Sequence, residues 1–143
     1  MRVEGTREFA APREAVFAAL TDPQLVAEAI PLVGNLQVQD RDRWSAEVKV
    51  PLVARAPKIR LQFEILERRE PEHAQLQAHG KSMGTSVRLA SSFDLAERDG
   101  GTTLRYDADV TLGGLLGRIP DSTLEPAARR AVDALLRSVE RRV

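Results

Sequence analysis

One short segment of the 143-residue sequence carries the spacing of two motifs that can do chemistry. Gly80–Gly84 reads G-x-S-x-G, the pattern of a hydrolase nucleophile on a sharp turn from a strand into a helix, with a histidine later in the chain. Both histidines, His73 and His79, precede Ser82, and a phosphate loop would need a glycine where Gln75 stands. The segment therefore predicts a glycine-flanked hairpin turn.

Histidine and aspartate pairs are the next candidates for a site. By alternation His73 and His79 both fall on a solvent-facing strand surface, and two ligands without cysteine do not make a zinc site. Asp107 and Asp109 share one strand face and could form an acid–base pair. That face is the outward one, beside Arg105, so cross-strand charge pairing is expected instead. The sequence predicts no catalytic residue, no metal site and no cofactor.

Composition narrows the class of protein. The length suits one domain over residues 1–143, and 43% hydrophobic residues are enough for a core. The 21 basic and 21 acidic side chains cancel, which excludes a generally basic nucleic-acid binder. The N-terminus offers no uninterrupted apolar stretch for a signal peptide, and nothing approaches the roughly 20 apolar residues of a membrane span. We expect a cytoplasmic protein with at most peripheral membrane contact.

The elements that must position these side chains follow from the hydrophobic period. Arg2–Phe9 is a short strand candidate. Pro12 in a first turn and a cap at Thr21 or Asp22 predict two short helices, which end before Pro31. From residue 36 to residue 112 apolar and polar residues alternate, which predicts about six half-buried antiparallel strands, and about seven with the first.

The turns and the last element complete this pattern. Turn residues cluster at Glu70–Glu72, Gly80–Ser82 and Asp99–Gly101, and the charged run around Arg68 is expected to be a solvated turn. A helix that begins between Leu115 and Leu124 then runs to the C-terminus. Its apolar stripe has helical spacing and consists of Leu124, Ala128, Ala131, Val132, Leu135 and Val139.

One apolar sheet face and one long helix predict an α+β fold in which a curved antiparallel sheet wraps round the C-terminal helix. The inward side chains are small, so a solid core and an apolar ligand cavity are both consistent with the pattern. The candidate lining residues are Trp44, Val48, Phe63, Val87, Leu89, Tyr106 and Ala108 from the sheet, and Leu116, Val132, Leu135 and Leu136 from the helical segment. The Tyr106 hydroxyl is the inward polar tip suited to a hydrogen bond with a ligand oxygen.

Two connections, residues 51–57 and 113–120, are unusually apolar for loops. Exposed leucines in loops need a reason, because connecting segments run over the surface. The segments could form a portal to the cavity or fold back as plugs of the core, and both interpretations stay open.

Five segments carry a resemblance to a known family: Ala11–Phe17, Leu20–Pro23, Ala29–Pro31, Gly101–Asp107 and Leu112–Gly117. With the order of elements, they resemble the START-like (SRPBCC) helix-grip superfamily and, within it, the CoxG-like family, which is named for carbon monoxide dehydrogenase. The resemblance covers nearly the whole chain. It implies non-catalytic binding of a small lipid- or quinone-like molecule, as an accessory protein to a carbon monoxide dehydrogenase-type molybdenum hydroxylase.

Two other functions remain as alternatives. A cyclase- or hydrolase-type enzyme could use the same cavity, but it would need an acid–base pair or a nucleophile facing inward. An accessory protein with a filled core could act through its surface loops alone.

Overall fold

The alternating segments form one antiparallel sheet of seven strands, in which the first strand of the chain pairs with the seventh and each later strand pairs with the next along the chain. The structure is a computed structural model that describes residues 1–50 and 58–143. Its elements are β1 (Arg2–Phe9), α1 (Arg13–Leu20), α2 (Pro23–Ala29), β2 (Val33–Asp40), β3 (Arg43–Lys49), β4 (Lys58–Arg69), β5 (His73–Ser82), β6 (Thr85–Arg98), β7 (Gly101–Gly114), a 3₁₀ segment (Leu115–Arg118) and α3 (Asp121–Arg142). The predicted α+β architecture is confirmed.

The helices begin and end where the sequence chemistry requires. The Asp22 carboxylate caps α2 by accepting the Gln24 N–H at 3.0 Å. Helix α3 starts at Asp121, inside the predicted window, and buries Leu136 and Val139 from its C-terminal half. Its last turn is basic, which suits the negative end of the helix dipole.

Buried side chains between the concave face of the sheet and the segments that cover it form two clusters. The first core cluster joins the sheet to α1, α2 and the C-terminal half of α3 and comprises Phe9, Ala11, Val16, Phe17, Ala19, Leu25, Ala74, Leu95, Leu104, Leu136 and Val139. The second core cluster lies beside the 3₁₀ segment and comprises Ile59, Leu61 and Leu116, with Val48, Val50, Phe63, Val87, Leu112 and Ile119 packed against it.

The hairpin between β5 and β6 turns later than the sequence suggested. Its turn residues are Met83 and Gly84, both with positive φ, whereas Gly80 is a strand residue paired with Val87. A Cβ on Gly80 would lie 2.4 Å from the Arg60 carbonyl oxygen, so glycine is needed there for close approach of two strands. The predicted turn at Gly80–Ser82 was therefore misplaced by about one alternation, but the G-x-S-x-G segment is a hairpin, as predicted, with a strand after it.

A bulge in β4 changes which face Arg68 occupies. The register between β4 and β5 shifts between Ile65 and Glu67, so Leu66 is exposed and Arg68 pairs with Ala74. The expectation of a solvated Arg68 was wrong, because the extra residue turns its side chain to the concave face.

Candidate functional site

A cavity of about 130 Å³ lies between the concave sheet face and the helices, beside the first core cluster. Its walls come from both strands and helices and are apolar with few exceptions. The lining residues are Leu20, Thr21, Val26, Trp44, Phe63, Ile65, Ala74, Leu76, Ser91, Phe93, Leu104, Tyr106, Ala108, Val132, Leu135 and Leu136.

The sheet wall follows from strand alternation. On β6 and β7 every second side chain faces α3, and the register places Ser91 opposite Ala108 and Phe93 opposite Tyr106. Alanine and serine at the middle of this wall leave space that larger side chains would fill. The small residues in the sequence therefore mark the position of the cavity.

Two aromatic contacts border the cavity. Trp44 and Phe63, on neighbouring strands, stack with ring centroids 5.7 Å apart. Phe93 meets Phe17 of α1 edge to face at 5.6 Å. These rings hold the wall in place on both sides of the small residues.

The helical wall includes residues that the sequence pattern did not single out. Val132, Leu135 and Leu136 come from α3, as expected, but Leu20, Thr21 and Val26 come from α1, α2 and the junction between them. The signal was present, because Leu20 belongs to the apolar face of the first short helix. The sequence pattern did not assign Leu20 to the cavity because it predicts the long C-terminal helix alone as the cover of the sheet.

Seven of the eleven predicted lining residues meet at this cavity, and four lie elsewhere. Val48, Val87 and Leu116 belong to the second core cluster, and Leu89 is half-buried on β6 between the two regions. The strands are longer than the cavity, so a residue with inward alternation can lie beyond its end. Alternation fixes the face of a residue but not its position along the groove.

The apolar segment 113–120 divides between the two proposed roles. Leu116 is 1% exposed and fills the second core cluster, which makes it a plug. Leu115 beside it is 58% exposed. The other apolar segment, residues 51–57, lies outside the described residues.

Tyr106 is the titratable side chain that reaches the cavity within the described part of the chain. Its ring lies over β1, where a Cβ on Gly5 would be 2.6 Å from the tyrosine oxygen. Glycine at position 5 therefore makes room for this aromatic ring.

Arg68 closes the space next to α1. Its guanidinium binds the Asp42 carboxylate at 2.9 Å and Glu70 at 3.3 Å, and it lies 5.9 Å from the Phe17 ring centroid. The side chain is only 14% exposed. Its charge is balanced by these partners, and it does not line the cavity.

The other candidate groups lie on the outer face of the sheet. Asp107 accepts hydrogen bonds from Arg2 and Ser92, and Asp109 pairs with the N-terminal amine at 3.6 Å, which matches the predicted charge pairing. His73 is 12% exposed and contacts Asp94. Across residues 1–50 and 58–143 no group of three or more potential ligands is placed to hold a metal ion.

A hydrogen bond from Asn35 Nδ2, at 2.9 Å, is the main cause that lowers the pKa of Glu47 below its usual value of 4.5. The neighbouring Arg60 guanidinium, at 3.4 Å, and Lys58 act in the same direction. This polar group lies on β2, β3 and β4 and stabilises the edge of the sheet rather than the cavity.

A curved antiparallel sheet that holds a long C-terminal helix, with a cavity between them, is the START-like helix-grip architecture. The chain is similar to a conserved protein from Geobacillus kaustophilus, with 21% identity, coverage of 99% of this chain and 93% of the other, and a TM-score of 0.86. A START superfamily protein from Mycobacterium smegmatis matches with 16% identity, 99% and 96% coverage, and a TM-score of 0.72. These similarities establish the fold.

A family model assigns the chain more specifically than the fold does. The family model of CoxG, which is described as a subunit of carbon monoxide dehydrogenase, matches residues 5–143, and the chain belongs to this family. A comparison with curated proteins gave no significant match.

Proposed function

We propose that the protein binds a small hydrophobic molecule, lipid- or quinone-like, in the cavity between the sheet and α3, without catalysing a reaction. The observation that carries the proposal is the apolar cavity beneath the C-terminal half of α3. Membership of the CoxG family and the START-like fold support the same role. The proposed contact residues are the cavity-lining side chains.

The size of the cavity limits the part of the ligand that it holds. A volume of about 130 Å³ compares with roughly 150 Å³ for a dry engineered cavity that binds benzene. It is below the roughly 300–1,000 Å³ of pockets that enclose drug-sized ligands. One ring or a short length of alkyl chain fits, and the rest of a longer ligand must lie outside this volume.

The enzymatic alternative has no observation in its favour. No carboxylate, histidine or lysine lines the cavity among the residues that the structure describes. The mode of action that fits these walls is burial of apolar surface, assisted by a few hydroxyl groups.

The cavity proposal is tested with bromobenzene, which quenches tryptophan fluorescence, because Trp44 is the only tryptophan and lines the cavity. The variant Ala108→Leu adds three carbons inside the cavity, and we expect it to weaken quenching about tenfold or more. The control is Ala90→Leu, at an exposed position on β6. Equal quenching in both variants, or none in the wild type, would contradict the proposal.

An accessory role follows from the family. We propose that the protein acts beside a carbon monoxide dehydrogenase-type molybdenum hydroxylase in the cytoplasm. Among residues 1–50 and 58–143, no helix is both long and apolar enough to span a bilayer. Biolayer interferometry against the carbon monoxide dehydrogenase of the same organism tests the role. Saturable binding is expected, and no response at the highest soluble concentration would argue against this partner.

Peripheral contact with a lipid surface would give the cavity a source of ligand. Met83 is 87% exposed and Leu115 58%, and the Leu115 amide donates to the Gly84 carbonyl at 3.2 Å, which joins the two turns. Exposed cations occupy the same end of the sheet: Lys49, Lys58, Lys81 and Arg118. Exposed apolar tips among these cations fit an anionic lipid surface, where each cation contributes about 1 kcal/mol.

Vesicle flotation tests this contact. We expect binding to vesicles of phosphatidylglycerol and phosphatidylcholine, and its loss in the double variant Met83→Ser with Leu115→Ser. Val38→Ser is the matched control, because Val38 is 56% exposed and lies on the edge strand β2 opposite Trp44, away from these two turns. An equal loss in the control, or no flotation of the wild type, would refute lipid contact at these turns.

A further inference from the structure

Two hydroxyl groups in the cavity wall have no proton left for a ligand. Thr21 Oγ1 donates to the Phe17 carbonyl oxygen at 2.8 Å, and Ser91 Oγ donates to the Asp107 carbonyl oxygen at 2.9 Å. Because a carbonyl oxygen can only accept, each hydroxyl has committed its single proton to the backbone. Any further hydrogen bond that either oxygen forms must be one that it accepts.

Both hydroxyl groups are held by backbone structure. Thr21 is the C-terminal cap of α1, and its amide and its hydroxyl both donate to the Phe17 carbonyl. Ser91 lies on β6 opposite Ala108 of β7, and Asp107, whose carbonyl accepts its hydrogen bond, precedes Ala108 in the chain. Rotation of either hydroxyl toward a ligand acceptor would break a hydrogen bond in a partly buried place.

The remaining polar groups of the wall do not reverse this excess of acceptors over donors. Tyr106 lines the cavity, and its hydroxyl, on the side of β1, can either donate or accept, so it discriminates little between ligands. The Trp44 indole N–H only donates. Three lining residues, Thr21, Ser91 and Tyr106, therefore carry an oxygen that can accept from a ligand hydroxyl. The oxygens of Thr21 and Ser91 cannot serve a ligand that offers only a carbonyl.

We propose that the cavity prefers a ring that bears a hydroxyl donor over a ring of similar size that bears only carbonyl acceptors. For a quinone-like ligand, this means preference for the reduced dihydroxy form over the diketone. The inference rests on the proposed function, since it concerns what the same cavity selects. Sites built around buried hydrogen-bonding groups reject analogues that leave those groups unpaired.

The experiment compares phenol, benzaldehyde and toluene as competitors of bromobenzene, with Trp44 fluorescence as the readout. In the wild type we expect phenol to bind about tenfold more tightly than benzaldehyde, a ratio in the range of one to two hydrogen bonds. In the double variant Thr21→Val with Ser91→Ala the phenol-to-benzaldehyde ratio should fall to about one, and toluene measured in the same variant corrects for any change in the general affinity of the cavity. Each single variant is measured as well, since either hydroxyl should carry part of the ratio.

Thr21→Ser keeps the hydroxyl and is the matched control, which should keep the wild-type ratio. If toluene and bromobenzene fail to bind the wild type, the proposed function fails. If toluene binds but the phenol-to-benzaldehyde ratio is the same in the wild type and in every variant, the cavity stands and the donor preference is overturned.

Discussion

The two ends of the concave face differ in how completely they are packed. In the second core cluster, Leu116 of the 3₁₀ segment packs with Ile59 and Leu61, and this leucine is 1% exposed. Beside the first core cluster, α3 spans the sheet and leaves about 130 Å³ unfilled. A side chain that enters from a turn can reach into the sheet, whereas a helix can approach only as far as its own diameter allows.

The sheet residues beneath each cover sharpen this difference. Under α3 the wall includes Ala74, Ser91 and Ala108, whose small side chains leave space beneath the helix. Near the 3₁₀ segment the wall offers branched aliphatic side chains instead. The cavity therefore comes from small sheet residues under a helical cover.

The largest expected effect comes from truncation of a side chain in the second core cluster, which is the filled end of the concave face. Leu116→Ala should lower the free energy of unfolding by about 2–5 kcal/mol, because it removes a fully buried side chain from a packed site. Leu135→Ala should cost less than about 2 kcal/mol, because Leu135 is half-buried, adjoins existing space and lies in a helix that favours alanine. Urea unfolding measures both values.

Wild-type protein with saturating bromobenzene is the internal control for this pair. Bound probe should stabilise the wild type and Leu116→Ala alike, since the probe occupies the other region. If Leu135→Ala costs as much as Leu116→Ala, the two ends are packed equally well and the comparison is wrong.

The same contrast explains what could be predicted from the sequence. Alternation identified the concave face, and Trp44 and Tyr106, which it assigns to that face, are among the residues that line the cavity. It could not separate Ala108, at the cavity, from Val87, at the second core cluster, because both have the same parity on long strands. Arg68 was misplaced because a one-residue bulge leaves no signal in a short charged run.

An intermediate effect is expected when a single carbon is added at the filled end. Gly80→Ala would place its Cβ 2.4 Å from the Arg60 carbonyl oxygen and 2.8 Å from Leu61 Cδ2. Backbone cannot yield as a side chain can, so we expect a loss of about 1–3 kcal/mol in urea unfolding. Gly34→Ala is the control, because nothing lies within 4 Å of its added carbon.

Ala108→Leu completes this test at the other end of the face. It adds more carbon than Gly80→Ala but enters existing space, so it should cost less stability. The opposite order of the two effects would mean that the cavity is not available to a side chain and that the two ends do not differ in packing.

The smallest effect concerns the outer face behind the filled end, where Asn35 and Arg60 lower the pKa of Glu47. A carboxyl whose pKa is lower in the folded state stabilises the fold above its unfolded value, near 4.5, and loses that contribution as the pH falls through the folded value. The wild type should therefore exceed Glu47→Gln in urea midpoint at about pH 7, and the difference should shrink as the pH falls below 4.5. Asn35→Ala should reproduce most of the loss at neutral pH, because its hydrogen bond is the largest cause of the shift. A difference that stays constant from pH 7 to pH 3 would show that Glu47 contributes through packing rather than charge, and that the polar outer face adds no pH-dependent stability to the filled end.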